Sequence, residues 1–368
     1  MSTNKYETQI DLLKELSLAF GPSGCEGNVA DIILAFVKPY ADEIIRDRLG
    51  SLIAVYKRRV SPEEYDLEAE PSTVLGKPDT ERLMLCAHMD EVGFMINSID
   101  SDGYLKIAAL SGKDPRVLKG RNVTVGDEDR KTIGYFGVKP VHLGGGGDFS
   151  SLYIDIGAKD KEEAEKYVQI GDYGTYRSDF VRFGDGGHKI KGKALDDRLG
   201  CAVLCTVLKN LSEAGARLPF DVYFTFTCRE EIGSSTANTA ANLVNPDMAF
   251  IFEATAVNDI LGDVYGSVAK QGKGACVTFM DRATIHDKEL YHFVYETAKA
   301  HSIPIQSKNY VAGGTDAGPI QRALDGTRCL GLSVPARYIH TASNVIDERD
   351  MHYMTDLAMA MIEELAKA

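Results

Sequence analysis

The chain has 368 residues, a length that predicts two or three domains at roughly 150 residues each. Apolar residues make up 44% of the chain and charged residues 26%, which is ordinary for a globular protein and excludes a mainly disordered or fibrous one. With 54 acidic and 41 basic side chains, the net charge is −13, which argues against nucleic acid or an anionic membrane as a primary partner.

The first predicted element is an amphipathic helix near the N-terminus. Its apolar residues Ile10, Leu13, Leu16 and Phe20 recur at helical spacing with charged residues between them, a pattern that favours a helix over a signal peptide. No apolar run reaches the 18 or so residues of a membrane-spanning helix. The seven cysteines are an odd number and lie mostly in apolar segments. We therefore expect reduced core cysteines and a cytoplasmic protein.

Strands and helices alternate in two parts of the chain that flank a β-rich stretch. Residues 93–157 contain several short strand-like runs separated by turns, with few helical patterns between them. From residue 190 onwards helices and apolar strands alternate, which predicts a mixed, largely parallel sheet with helices on both faces. We expect an α/β domain built from residues 1–91 and 190–368, with a small β-rich domain, residues 92–189, inserted between them.

Five segments carry ionisable side chains at the ends of predicted strands or at the start of a helix. In LMLCAHMDEVG, His88 and Asp90 follow a compact apolar run, and their spacing directs both side chains to the same side of an extended chain. The pair suits a metal-binding His that is oriented by an Asp, or a His that is simply hydrogen-bonded at a strand end. In KALDDRLG, Asp196 and Asp197 precede a helix. One of them can be an N-cap, but adjacent carboxylates repel unless a cation or a donor neutralises them.

The other three segments follow or interrupt apolar strands. Glu230 and Glu231 come directly after the strand VYFTFT, where they form either a solvated pair or two groups with separate functions. Glu253 interrupts an apolar strand and, if buried, needs a partner. His340 follows a largely apolar segment. Taken together, two histidines and three or four carboxylates suit two divalent ions that share a bridging carboxylate. No cysteine lies among these residues, which favours a catalytic site over a structural zinc site.

Seven motifs give the chain a close resemblance to the tetrahedral (TET) aminopeptidases. The motifs are GPSGCEG, CAHMDEVGFMI, KALDDRLG, REEIGSSTA, FEATAVND, GGTDAG and YIHTASNVID, and they occur in the family's order over nearly the whole chain. Members of this family are dinuclear metallo-aminopeptidases with a zinc-exopeptidase-like fold. Some carry the name glutamyl aminopeptidase and others the name endoglucanase M.

The resemblance implies a role for the first two motifs that carry ligands. His88 would bind one metal and Asp90 would orient it. Asp196 would bridge both metals, with a cis peptide bond to Asp197.

It also implies roles for the remaining ligands. Glu231 and His340 would complete one metal site and Glu253 the other, while Glu230 would be the general base. Many relatives carry Asp where this chain has Glu253, whose longer side chain is expected to reach the metal with altered coordination.

The resemblance also implies an assembly and a substrate pocket, with one departure from the family. TET aminopeptidases assemble into dodecamers built from dimers, with the inserted domain making dimer contacts. The glycine run at 144–147 departs from the family's more charged connection and is expected to alter contacts of that domain. Gly313, Gly314, Thr315 and Asp316, from GGTDAG, are expected to shape the substrate pocket, because the glycine pair permits close approach of the backbone. A plain tight turn is the alternative.

The sequence therefore predicts an aminopeptidase that releases N-terminal residues from peptides through a water molecule activated by two divalent ions per chain. Zinc is the expected metal, and cobalt and manganese suit the same N and O ligands. One alternative is a glycosidase that uses paired carboxylates, which leaves His88 and His340 without a function. A second alternative is a non-catalytic homologue that binds peptides.

Overall fold

The computed structural model describes residues 6–61, 64, 80–111, 114–143, 152–260 and 269–367. The glycine run at 144–147 lies outside these residues. The described helices are α1 Glu7–Leu18, α2 Gly27–Val37, α3 Lys161–Ala164, α4 Leu195–Glu213, α5 Ala237–Val244, α6 Lys288–Ala300, α7 Ala317–Gln321 and α8 Glu348–Ala366.

The described strands form one large sheet and one closed barrel. The large sheet contains β1 Glu43–Arg46, β2 Leu52–Tyr56, β3 Arg82–His88, β10 Val181–Phe183, β11 Lys189–Gly192, β12 Asp221–Thr227, β13 Met248–Ala256, β14 Ala275–Thr278, β15 Ile305–Ser307, β16 Arg328–Arg337 and β17 Asn344–Asp347. The barrel contains β4 Gly93–Ile99, β5 Leu105–Leu110, β6 Asn122–Gly126, β7 Lys131–Phe136, β8 Ile154–Asp155 and β9 Tyr173–Tyr176.

The large sheet has the order β1-β2-β12-β3-β13-β16-β17-β11-β10. Its four central strands, β12, β3, β13 and β16, are parallel to one another, and antiparallel strands extend it on both sides. This arrangement confirms the predicted mixed α/β sheet with a parallel centre. The central strands are nearly continuous apolar runs because both of their faces are covered, as is usual in parallel sheets.

Alternate residues of the central strands pack against helices on opposite faces. Leu85 and Phe250 belong to the main core with α1, α2, α4, α6 and α8. Met84 and Ile251 belong to a second core with α5 and α7 on the other face. The predicted helices on both faces are therefore confirmed. All seven cysteines are buried free thiols, as predicted.

The barrel closes in the order β4-β5-β8-β7-β6-β9 and has a core of its own. In that core the rings of Phe94 and Phe136 meet edge to face, with their centroids 5.4 Å apart. The barrel strands fall within the predicted insertion, residues 92–189, whereas β10, which lies in the same interval, pairs with β11 of the large sheet. No described helix is both long and apolar enough to cross a membrane.

A buried charge cluster joins the barrel to the large sheet. Glu91, between β3 and β4, accepts hydrogen bonds from the Lys193 ammonium (2.5 Å) and from the Thr175 hydroxyl of β9 (2.8 Å). An Arg198 guanidinium nitrogen of α4 lies 3.5 Å from the same carboxylate. Burial lowers the pKa of Lys193 to about 8, and the charge of Glu91 opposes that shift. The cluster therefore depends on the negative charge of Glu91 to keep two buried cations compensated.

We predict that Glu91→Gln destabilises the fold by about 3–5 kcal/mol, because both cations lose their buried counter-charge. The matched control is Asp31→Asn, which removes the charge from the exposed Arg46–Asp31 pair and should cost about 1 kcal/mol or less. The free energy of unfolding in urea measures both. Equal losses for the two variants would contradict the proposed dependence on Glu91.

Candidate metal centre

The ligand candidates meet where the central strands end. His88 at the end of β3 lies opposite Thr227 at the end of β12, and a short 3₁₀ turn, Glu230–Ile232, follows β12. Glu253 lies near the end of the adjacent strand β13. The carboxyl ends of neighbouring parallel strands form the usual ligand-binding edge of an open α/β sheet.

The side chains form two groups that share Asp196. The His88 Nε2 atom lies 3.5 Å from Asp196 Oδ1 and 3.7 Å from Glu253 Oε2. The His340 Nε2 atom lies 3.3 Å from Asp196 Oδ2 and 3.2 Å from Glu231 Oε2. The two oxygens of Asp196 therefore face different histidines, and each histidine has a different glutamate beside it. All five predicted ligands are brought together by the fold.

The structure distinguishes the two adjacent aspartates. The Asp197 carboxylate accepts the backbone N–H of His88 (3.2 Å) on one oxygen and that of Gly200 (3.0 Å) on the other. Asp197 also lies within 4.8 Å of ligand atoms of His88 and Glu253, and each of its oxygens accepts one backbone donor. Asp197 thus accepts from the backbone at the end of β3 and in the first turns of α4, whereas Asp196 faces the imidazoles. The peptide bond between them is cis, as predicted.

Asp90 fixes the orientation of several neighbours at once. Its fully buried carboxylate lies 3.3 Å from His88 Nδ1. One oxygen accepts the N–H of Glu230 (3.0 Å), and the other accepts the N–H of Glu231 (3.1 Å) and the Ser23 hydroxyl (2.6 Å). Asp90 therefore connects the ring of a ligand candidate to the backbone of the glutamate turn.

No role was predicted for the side chains of the GPSGCEG loop. In the structure Ser23 donates to Asp90, and a Glu26 carboxylate oxygen accepts the N–H of Arg229 (3.2 Å), which directly precedes the glutamate pair. The only sequence signal for these contacts was that polar side chains lie in a loop rich in glycine and proline. The contacts join segments that are far apart in the chain.

The site carries more buried carboxylate than its imidazoles can neutralise. Burial raises the pKa of Glu230 and of Glu253 well above the usual values, and raises that of Glu231 to about 8. Burial lowers the pKa of His340, but the hydrogen bond to Asp196 and the charge of Glu231 outweigh it and raise the pKa to about 9. Raised pKa values of both carboxyl groups and an imidazole are expected at a site that lacks positive charge.

The donor set fits divalent transition-metal ions. Imidazole nitrogens and carboxylate oxygens suit zinc, cobalt and manganese, and no cysteine sulfur lies in either group. The buried Oε1 atom of Glu253 has no hydrogen-bond partner among the described residues, so it remains available as a ligand atom. The longer side chain of Glu253 thus reaches the group around His88.

A cavity of about 610 Å³ opens onto these carboxylates. Among its lining residues are Asp196, Glu230, Glu231, Glu253, His340, Lys308, Tyr310, Gly313, Gly314 and Thr315. The lining includes three of the four residues that were predicted to shape the substrate pocket. Gly313 has φ +67°, a backbone conformation that favours glycine.

Asp316, the fourth predicted pocket residue, is not among the residues that line this cavity. Its side chain is 1% exposed and accepts a hydrogen bond from the Thr227 hydroxyl at the end of β12 (2.5 Å). Lys308 and Tyr310, which line the cavity, were missed because nothing in the sequence relates the residues after β15 to the pocket.

Comparison with known proteins gives consistent results over nearly the full length. The family described as M42 glutamyl aminopeptidase matches residues 72–357. The lysyl aminopeptidase of Pyrococcus furiosus is 30% identical over 96% of this chain and 97% of its own length. The crystal structure of a TET aminopeptidase from Thaumarchaeota archaeon SCGC AB-539-E09 is 32% identical, with a TM-score of 0.89 and coverage of 98% of both chains.

The Pyrococcus horikoshii TET1 peptidase, which can assemble into a tetrahedron or a large octahedral shell, is 31% identical, with a TM-score of 0.81. That comparison covers 96% of this chain and 99% of the other.

Proposed function

Because the chain belongs to the M42 glutamyl aminopeptidase family, we propose that its sheet-edge site performs metal-dependent hydrolysis of the N-terminal peptide bond. The chain is a peptide hydrolase of the aminopeptidase type. The observation that supports a two-ion site most directly is the position of Asp196, whose two oxygens face two histidines, His88 with Glu253 beside it and His340 with Glu231 beside it.

We assign two divalent ions per chain to these groups. His88, Asp196 and Glu253 would hold one, and Asp196, Glu231 and His340 the other. Zinc is the proposed metal, and cobalt and manganese fit the same donors. The chemistry that such ions supply when bound is polarisation of the peptide carbonyl and a lowered pKa for a water molecule.

Glu230 is the proposed general base. Its side chain lines the cavity, is absent from both ligand groups, and is anchored through its backbone N–H by Asp90. The Glu230 carboxylate would accept a proton as water attacks the peptide carbonyl carbon. It would then deliver that proton to the amine nitrogen as the C–N bond breaks. Asp90 is a positioning residue, since it holds both the His88 ring and the glutamate turn.

The requirement for a free N-terminus follows from the charge of the site. A protonated or neutral α-amine can donate to the carboxylates that line the cavity, whereas an internal peptide segment offers no such group at this position. Gly313, Gly314 and Thr315 would contact the substrate where the cavity extends away from the ligands.

We predict that chelation abolishes peptide hydrolysis and that resupplied protein regains activity as it binds about two ions per chain. Elemental analysis and aminoacyl anilide hydrolysis measure the two quantities in parallel. A glycosidase with paired carboxylates would keep its activity after chelation, and a protein that only binds peptides would show no turnover with any metal. Active protein that contains no transition metal would contradict the proposal.

The adjacent glutamates should respond differently to substitution. Glu230→Gln keeps shape and hydrogen bonding but cannot accept a proton, so kcat should fall by at least roughly 10²–10⁴-fold with metal content intact. Glu231→Gln removes a charged ligand and should lower metal occupancy. KM should change little in Glu230→Gln, because a group that acts only in the transition state lowers kcat and kcat/KM together.

The assignment of the two glutamates is tested by measuring metal stoichiometry beside kinetics. If Glu230→Gln lost metal while Glu231→Gln kept both ions and only slowed turnover, the two roles would be reversed. Loss of metal in both variants would make both residues ligands and leave the site without the proposed base.

We propose that the chain assembles as a cytoplasmic homo-oligomer, a dodecamer built from dimers; one structural relative is a dodecamer, and another can assemble into a tetrahedron or a large octahedral shell. In this proposal residues 1–91 and 190–368 form the catalytic unit, and the insertion at 92–189 makes the dimer contacts. Outward-facing apolar side chains on β7 support it, because Tyr135 is 53% exposed and Ile133 lies two residues away on the same face.

Light scattering should therefore give a native mass near twelve chains. Deleting the β-rich insertion, or placing Asp at both Ile133 and Tyr135, should break the large particle, because apolar contacts are lost. A monodisperse monomer with full activity would overturn the proposed assembly. Anilide hydrolysis by the double variant checks that its catalytic unit remains folded.

A further inference from the structure

One basic side chain in the cavity takes no part in the proposed chemistry. Lys308 follows β15, is 6% exposed and lines the cavity. Its ammonium donates one long hydrogen bond, 3.4 Å, to the carbonyl oxygen of Ala312, and it forms no ion pair with any described carboxylate. The ammonium of this cavity-lining residue therefore has no counter-charge among the described residues, and an anion that enters the cavity would supply one.

The backbone of Lys308 is held beside the cavity wall. The backbone N–H of Lys308 donates to the carbonyl oxygen of Val277 on β14 (3.0 Å), which holds the residue to the sheet. The acceptor of its side chain, Ala312, directly precedes the Gly313–Gly314 pair of the cavity wall. The side chain of Lys308 thus starts from a fixed backbone position at the cavity wall, so no loop has to be ordered when a ligand arrives.

The charges of the cavity are arranged unevenly. The carboxylates Asp196, Glu230, Glu231 and Glu253 mark the catalytic end, whereas Lys308 is the one lysine or arginine among the described lining residues. Divalent ions at the catalytic end would neutralise much of the negative charge there. A substrate anion would then meet a single fixed cation, and a substrate cation would be repelled by it.

We propose that Lys308 is a specificity-determining residue that binds a carboxylate of the substrate. This inference rests on the proposed aminopeptidase function. The carboxylate belongs either to the side chain of an N-terminal Glu or Asp, or to the C-terminus of a short peptide. Both sources supply the same charge-assisted hydrogen bond to the ammonium.

The experiment compares isosteric substrates in two arms with metal-loaded enzyme. In the first arm, kcat/KM is measured for glutamyl and glutaminyl p-nitroanilides, which have no C-terminal carboxylate. In the second, it is measured for Leu-Gly and Leu-Gly-amide. The proteins are the wild type, Lys308→Met, Lys308→Arg, and the control Lys288→Met, which removes an exposed lysine from the start of α6.

In at least one arm the wild type should prefer the carboxylate substrate by about 10- to 100-fold, because a hydrogen bond to a charged group contributes a factor of that size. Lys308→Met should abolish that preference, mainly through KM, while Lys308→Arg and Lys288→Met keep it. The arm that responds identifies the source of the carboxylate. Because each preference is a ratio within one protein, a partly misfolded variant does not mimic the result.

Equal preferences in wild type and Lys308→Met in both arms would overturn the role of Lys308. That failure is distinct from failure of the proposed function, in which wild-type enzyme with metal would hydrolyse none of the four substrates. A wild type that hydrolyses all four without preference would also overturn the inference while leaving the aminopeptidase activity in place.

Discussion

A buried carboxylate must be compensated by hydrogen-bond donors or by positive charge, and this requirement organises the edge of the large sheet. Backbone N–H groups donate to both oxygens of Asp90 and to both oxygens of Asp197. Asp196 instead lies between two imidazoles, and the glutamates beside it keep raised pKa values because burial is not offset. Burial also raises the pKa of Asp197 and of Glu230, whereas hydrogen bonds to the two imidazoles outweigh burial at Asp196 and lower its pKa. The carboxylates of this edge as a group therefore exceed the positive charge that the described residues supply, which favours bound cations.

The fold supplies this concentration of charge by bringing separate segments to one edge. Parallel β3, β12 and β13 end beside one another, while α4 and the loop after β16 provide Asp196 and His340. The barrel is attached at the same place, since Glu91, directly after Asp90, contacts both Thr175 of β9 and Lys193 before α4. Two adjacent residues between β3 and β4 therefore have separate roles: Asp90 positions the catalytic groups, and Glu91 attaches the barrel.

The positions of several site residues are determined by local sequence pattern and were predictable from it. Polar residues that end apolar runs, such as His88 and Glu253, must lie at a strand end, so their convergence followed from parallel topology. The choice between Asp196 and Asp197 was not predictable from spacing, because it depends on which carboxylate meets the N–H groups of His88 and Gly200. Closure of the barrel, the inward turn of Asp316 and the exposure of Lys308 to the cavity depend on long-range packing that no local motif records.

Anomalous X-ray diffraction from zinc- or cobalt-loaded crystals tests the shared role of Asp196 most directly. The account predicts two anomalous peaks per chain: one contacted by His88, Asp196 and Glu253, and the other by Asp196, Glu231 and His340. A single peak, or a peak bound by Asp197 in place of Asp196, would contradict the proposed two-ion site.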